Sequence, residues 1–270
     1  MTRDEKIYLC DLNLAEYRRE VTRWRSVGEI REEHDLLLTL GPSTFPSTNV
    51  AMYLGGHDRS SAALLFDRIR SFYAKHNASF SIQMRQHADS PLDDVCRREK
   101  MIPAINAPCL VIDHPLSAPE APPDVELRHI TTAAGVRDFA FVITQSYVSL
   151  GMPAYVGNYL FGEPARLLQP CTRLLVAYED GRPVSAAMLL FYCNIAGLYW
   201  VGTLEAKRGR RFSKACVMEM TNEAFRQGAV LVTLQASTFG EPLYLRLGFE
   251  EITRYLWYMT FIKSPTRREP

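Results

Sequence analysis

Four prolines within nine residues, Pro115, Pro119, Pro122 and Pro123, constrain this chain more than any other feature. Proline lacks a donor N–H and locks φ, so neither a helix interior nor a central strand tolerates that density. Residues 115–123 therefore read as a linker, dividing the chain into domains of 1–122 and 123–263, each large enough for its own core. With 47% hydrophobic and 23% charged residues, the composition is that of a soluble globular protein and excludes collagen-like, disordered and disulfide-scaffold classes. No apolar run approaches the roughly 18 residues of a membrane span, and the first residues, Met1-Thr2-Arg3-Asp4-Glu5-Lys6, lead into no apolar signal segment. A cytoplasmic location without membrane association is expected. Cys10, Cys96, Cys109, Cys171, Cys193 and Cys216 show no C-x-x-C spacing and are expected as small buried apolar residues, not disulfides or a metal site.

Beyond the linker, residues 125–130 alternate as a half-buried strand, and Thr131 or Thr132 can cap a helix running to about residue 147. Residues 151–170 read as loop around a short helix. Strands follow at 173–178, 184–192 and 196–203, the first two joined by the hairpin signal Asp180-Gly181. A helix over 213–227 is stopped by Gly228 and buries Cys216 or Val217, Met220 and Ala224. An apolar strand at 230–236, a short helix at 241–247 ending at Gly248, and an aromatic strand at 251–262 complete this half. The first half echoes the order with a strand at 50–54, a helix from Ser60 or Ser61 to 76, a strand at 80–85, a helix at 91–100 and a strand at 109–113. That echo points to a duplicated fold. A helix over 12–25 precedes it, with Leu14, Tyr17, Val21 and Trp24 at spacings of 3 or 4. The tail, 264–270, is expected to be disordered.

Lys and Arg number 15 against 17 Asp and Glu in residues 1–122, and 16 against 13 in 123–270, so neither half has the basicity of a nucleic-acid binder. One segment departs from this balance: Lys207-Arg208-Gly209-Arg210-Arg211-Phe212-Ser213-Lys214 places five cations between a strand and a helix. Unpaired N–H groups and the dipole at a helix start favour anions. Gly209 permits close backbone approach and Ser213 is the expected N-cap. Since the second half has only His129, chemistry there does not depend on a histidine cluster. Asp93-Asp94 reads as a favourable helix start, not a carboxylate dyad. His57-Asp58 follows Gly55-Gly56 without a cationic pattern.

The segment from Tyr199-Trp200-Val201-Gly202-Thr203 through Lys214-Ala215 resembles the acyl-CoA-binding segment of the GNAT acetyltransferase superfamily. Leu234-Gln235-Ala236-Ser237 and Glu241-Pro242-Leu243-Tyr244-Leu245-Arg246-Leu247-Gly248-Phe249 resemble its second segment, at matching spacing. The likeness covers about residues 125–262. It implies an α/β fold of two tandem GNAT-like domains, each a mixed, mostly antiparallel sheet flanked by helices. Residues 1–122 would be a degenerate domain without a phosphate loop, and 123–263 the acyl-CoA-binding domain.

The resemblance implies that Val201, Gly202 and Thr203 pair with the pantetheine arm, and that Arg208, Gly209, Arg210, Arg211, Phe212, Ser213 and Lys214 form the pyrophosphate loop. Arg211 and Ser213 replace the small residues usual at two positions of that loop. Arg211 brings a side chain that can add a charge-assisted contact or close the slot. Tyr244 matches the tyrosine that protonates the departing thiolate. The implied activity is N-acetylation: acetyl-CoA as co-substrate, no metal, and direct attack by the amine of an unidentified acceptor entering between the halves. No base is evident; Glu205 reads as a solvated loop residue, and Gln235 and Ser237 follow the fifth strand. Two alternatives stand, an inactive GNAT-like binding module and an acyl or aminoacyl transferase with another donor. Whether two copies pair as a homodimer is left open.

Overall fold

The computed structural model describes residues 1–33, 35–41, 45–55, 62–117, 122 and 125–261. Along the chain run α1 (Arg3–Arg23), β1 (Glu29–Glu33), β2 (Leu36–Leu40), β3 (Val50–Tyr53), α2 (Ala62–Lys75), β4 (Phe80–Arg85), α3 (Ser90–Arg98), β5 (Ile102–Ile112) and β6 (Val125–Ile130). There follow α4 (Ala133–Val148), α5 (Ala154–Leu160), β7 (Thr172–Glu179), β8 (Arg182–Tyr192), β9 (Ile195–Thr203), α6 (Phe212–Arg226), β10 (Val232–Gln235), α7 (Glu241–Arg246) and β11 (Glu250–Thr260). His57-Asp58, the expected helix start at Ser60 or Ser61, most of the linker and the tail fall outside the described residues. No helix among those described is long and apolar enough to cross a membrane.

Local chemistry explains most boundaries. Thr2 and Glu5 close a capping box at the start of α1, which therefore begins nine residues before the expected position 12. Thr132, not Thr131, caps α4 through Gly135 N–H at 3.2 Å. Asp180 and Gly181 take positive φ of 50° and 72°, the two left-handed residues of a tight hairpin between β7 and β8. The pair β1 and β2 escaped the sequence reading. Glu29-Ile30-Arg31-Glu32-Glu33 has no alternation and becomes a strand by pairing, Glu29 opposite Leu40 through Glu33 opposite Leu36. Its charges suit an exposed edge.

Two compact units result, and they do not coincide with 1–122 and 123–263. One holds Met1–Ser26 and Pro108–Thr253; the other holds Val27–Ala107 and the stretch from Arg254. In the first, β6, β7, β8 and β9 pair antiparallel in sequence order, β9 pairs parallel with β10, and β10 pairs antiparallel with the 109–112 end of β5. Phe212, Cys216, Val217, Met220 and Ala224 of α6 join Ala196 and Leu198 in one core. The alternate residues of β9 meet α1: Tyr17 stacks on Tyr199 at 3.9 Å, and a Cβ on Gly197 would lie 2.2 Å from Asn13 Oδ1. In the second unit, β1, β2 and β3 pair antiparallel, β3 runs parallel to β4, and β4 pairs antiparallel with the 255–260 end of β11. Its core gathers Leu65, Ile69 and Tyr73 of α2 with Ile82, Met84 and Tyr258.

The duplicated order expected from sequence is present as β3-α2-β4-α3-β5 and β9-α6-β10-α7-β11, each with its first two strands parallel. The last strand of each set hydrogen-bonds to the middle strand of the other set. That exchange moves both unit borders away from the linker. Four cysteines are buried as expected, but Cys171 is half-buried and Cys193 exposed; Cys193 and Asn194 form the β8–β9 turn at positive φ, which the chain must place at the surface.

Candidate functional site

Strands β9 and β10 pair only at Ala196–Val232 and Gly197–Thr233. From Leu198 to Thr203 the β10 side of β9 has no strand partner among the described residues, so the sheet opens at the carboxyl ends of two parallel strands. A cavity of about 810 Å3 lies there, within the first unit, in the size range of a small-molecule site. Of the expected residues, Val201, Gly202, Thr203, Arg208, Gly209, Arg211, Ser213, Lys214 and Tyr244 line it.

The edge of β9 is shaped by a bulge. Ala186 is opposite Gly202 and Met188 opposite Tyr199, so Trp200 and Val201 share the place facing Ala187. Trp200 takes φ 49°, costly for a bulky residue. The twist turns its indole toward the α1 and α4 side, with ring centroids 5.2 Å from Tyr147, 5.5 Å from Phe161 and 6.5 Å from Trp24. Those rings hold the bulge while Val201 remains against the α6 core.

Helix α4 frames the same edge through Ser146, a residue the sequence reading missed. Its Oγ accepts the Thr203 N–H at 3.1 Å, and its carbonyl accepts Arg208 Nη2 at 3.2 Å. Arg208 also donates to Ser149 Oγ. Thr203 was expected, with Val201 and Gly202, to pair through its backbone with the donor's arm, and its N–H is already held by Ser146. The approach is close: a Cβ on Gly202 would stand 2.9 Å from Ser146 Oγ and 3.0 Å from its Cβ. The available signal was a polar serine on an otherwise apolar helix face, beside Ile143 and Val142.

The basic loop is divided by its partners. Lys207 Nζ donates to Glu179 Oε2 at 2.6 Å and Arg210 Nη1 to the same oxygen at 3.1 Å. The contact with Lys207, reinforced by Arg210, holds the buried Glu179 carboxyl below its usual range. Arg210, expected among the ligand contacts, thus pairs at the end of β7. Phe212 is also outside the wall, buried in the α6 core at 1% exposure. Ser213 is not the N-cap. Arg211 occupies that position at φ 67° without a side-chain cap, and Ser213 lies in the first turn. A left-handed residue at this point is what a glycine would supply without strain.

Tyr244 is 7% exposed, edge-on to Phe249 at 5.8 Å. Burial alone pushes its phenol well above the ordinary value, and its hydroxyl has no hydrogen-bond partner among the described residues. Tyr147 is raised too, by burial first and then by Tyr244 and Tyr17. Ser237 and Arg246 complete the polar wall, while Glu205 and Gln235 are not in it. In the second unit, Asp93 accepts from Arg97 at 3.1 Å and from Tyr258 at 2.6 Å, in keeping with a structural role. His129, Glu219 and Glu223 lie within 4.8 Å of one another at the surface, but Arg226 already bridges both glutamates.

No family model and no curated protein matches the sequence. Solved structures do match its shape. A GCN5-related N-acetyltransferase from Kribbella flavida superposes with a TM-score of 0.70 at 18% identity, over 91% of this chain and 94% of the other. One from Sphaerobacter thermophilus gives 0.61 at 17% identity, over 89% and 84%. A tandem GNAT protein from the clavulanic acid biosynthesis pathway gives 0.59 at 14% identity, over 85% and 79%. A strand bulge beside an opened sheet, a cationic loop entering a helix, and these superpositions together identify the fold as that of the GCN5-related N-acetyltransferases.

Proposed function

We propose that this chain binds acetyl-CoA in the cavity between β9, α6 and α7 and transfers the acetyl group to an amine by direct attack. The observation that carries the reading is the meeting of the open β9 edge, the loop cations Arg208, Arg211 and Lys214, and the unpartnered Tyr244 hydroxyl around one cavity. An anion at the start of α6 meets the helix dipole and two side-chain cations. The amine nitrogen forms the new C–N bond at the thioester carbon, the carbonyl electrons move onto oxygen, and collapse expels the CoA thiolate. Tyr244, kept protonated by burial, donates its proton to that sulfur. The ammonium proton leaves to solvent, and the phenol is restored from solvent. Of the two expected effects of Arg211, contact and closure, an open cavity with Arg211 in its wall favours contact.

Thermal unfolding with and without acetyl-CoA tests this. At about 100 times its dissociation constant the ligand adds roughly 2.7 kcal/mol, an upward shift of a few degrees for a protein of this size. No shift, with no heat of binding in calorimetry, would remove acetyl-CoA as donor.

A further inference from the structure

The bulge in β9 sends two neighbouring residues to different sides of the sheet. Val201 lines the cavity, while Trp200 lies on the α1 and α4 side. Helix α4 repeats the division at the same level: Ser146 lines the cavity, and the next residue, Tyr147, meets Trp200 edge-on with 5.2 Å between ring centroids. Tyr147 and Trp200 are only half-buried, so this aromatic face is not sealed into the core. Tyr17 joins it from α1, the Trp200 indole N–H lying beside its hydroxyl without closing a hydrogen bond. The Tyr147 hydroxyl is within electrostatic reach of Tyr17 and Tyr244 and has no hydrogen-bond partner among the described residues. All of these residues belong to the first unit.

The charge at this face is one-sided. No Asp or Glu lines the cavity, and none acts on the hydroxyls of Tyr17, Tyr147 or Tyr244. The Arg18 guanidinium sits over the Tyr17 ring at 5.1 Å. A ligand with several ammonium groups would lose water here without a counter-charge and beside a fixed cation, which is costly. A single amine escapes that cost, because the same surroundings favour its neutral form, and the neutral form attacks a thioester. A phenol oxygen can accept its N–H. Half-buried rings gain most from another aromatic ring, packed offset or edge-on against them.

We propose that Tyr147, Trp200 and Tyr17 form the acceptor subsite and that it selects a monoamine carried on an aromatic ring, an arylalkylamine. The nitrogen reaches the thioester from the aromatic side of β9 and bonds to the acetyl carbon as the C–S bond breaks. Nitrogen gives up one proton and sulfur gains one, leaving an N-acetylarylalkylamine and the CoA thiol. This rests on the acyl-CoA reading and names the acceptor class that reading leaves open.

Release of CoA thiol from acetyl-CoA by the full chain tests the class, with phenethylamine, butylamine, spermidine and a lysine-containing peptide as acceptors. The kcat/KM for phenethylamine should exceed that for each of the others by about tenfold or more. Tyr147→Ala should raise KM for phenethylamine about tenfold while KM for acetyl-CoA stays level, and Tyr147→Phe, which keeps the ring, should bring it back to within about threefold of wild type. Thermal unfolding of the free variants checks folding, and Tyr147→Leu, closer in volume, takes the place of an alanine variant that fails to fold. Calorimetry with acetyl-CoA separates the two ways to fail. Donor binding with no transfer to phenethylamine, or with butylamine, spermidine or the peptide equal to it or preferred, overturns the aromatic subsite and leaves the acyl-CoA reading standing. A KM for phenethylamine unmoved by loss of the Tyr147 ring overturns it too. No donor binding removes the reading and the subsite together.

Discussion

Arg211 holds a left-handed backbone at the entrance to α6, where an L-residue with a long side chain is strained by about 1–2 kcal/mol. Replacement by glycine relieves that strain and costs roughly 0.5–1 kcal/mol in unfolded-chain entropy. Arg211→Gly should therefore stabilise the free protein by about 0–1.5 kcal/mol in urea denaturation while weakening acetyl-CoA roughly tenfold. A variant that gains stability and keeps full affinity would show that the guanidinium does not touch the donor. Tyr244 gives the complementary case. Its phenol is raised by burial, so no limb from its deprotonation should appear in kcat between about pH 7 and 10. Tyr244→Phe should lower kcat by about 10²-fold or more with little change in KM for acetyl-CoA.

At the scale of elements, α4 and the end of β9 form one hydrogen-bonded edge. Adding a methyl group at Gly202 pushes into Ser146, whose Oγ cannot turn away without releasing Thr203. Gly202→Ala should cost about 1–3 kcal/mol. Ser146→Ala, which orphans a buried N–H, should cost a similar amount. The double variant should cost less than the sum, because both changes break one contact; strict additivity in chemical denaturation would refute the shared edge. The end of β7 carries a pH dependence. Glu179 has a lowered carboxyl pKa against an ordinary value of 4.5, so its stabilisation is complete above that value and is lost as pH falls through the lower, folded-state one. Urea midpoints of wild type and Glu179→Gln should therefore differ at pH 7 and converge as pH falls below about 4.

For the whole molecule, the exchange of last strands decides what can fold alone. The unit bearing the cavity needs α1, which buries Cys10, Leu14, Tyr17 and Trp24, and the 109–112 end of β5, which pairs with β10. A fragment of residues 123–263, cut at the linker, lacks both and leaves one side of β10 unpaired. It should show no cooperative unfolding transition by circular dichroism, whereas the full chain should. A folded, cooperative fragment would contradict the assignment of α1 and β5 to that unit. The same exchange explains why the proline-rich stretch, expected as the divide between two domains, is not a border between compact units.

What the amino-acid order determined by itself was local. A capping threonine located α4, periodicity located α6, the Asp180-Gly181 pair set the β7–β8 hairpin, and the strand, loop and helix around Lys207–Lys214 were legible as the elements that border the cavity. Those features depend on residues a few positions apart, and their physics survives in the isolated segment. Tertiary structure decided which charges remain available. Five loop cations read alike in sequence, but Glu179, 28 residues before Lys207, neutralises two, while Arg246 arrives from another helix. Tertiary structure also made β1 a strand through β2, exchanged β5 and β11, and turned Trp200 across the sheet. Pairing partners and neutralising charges come from distant parts of the chain, and only folding brings them within reach.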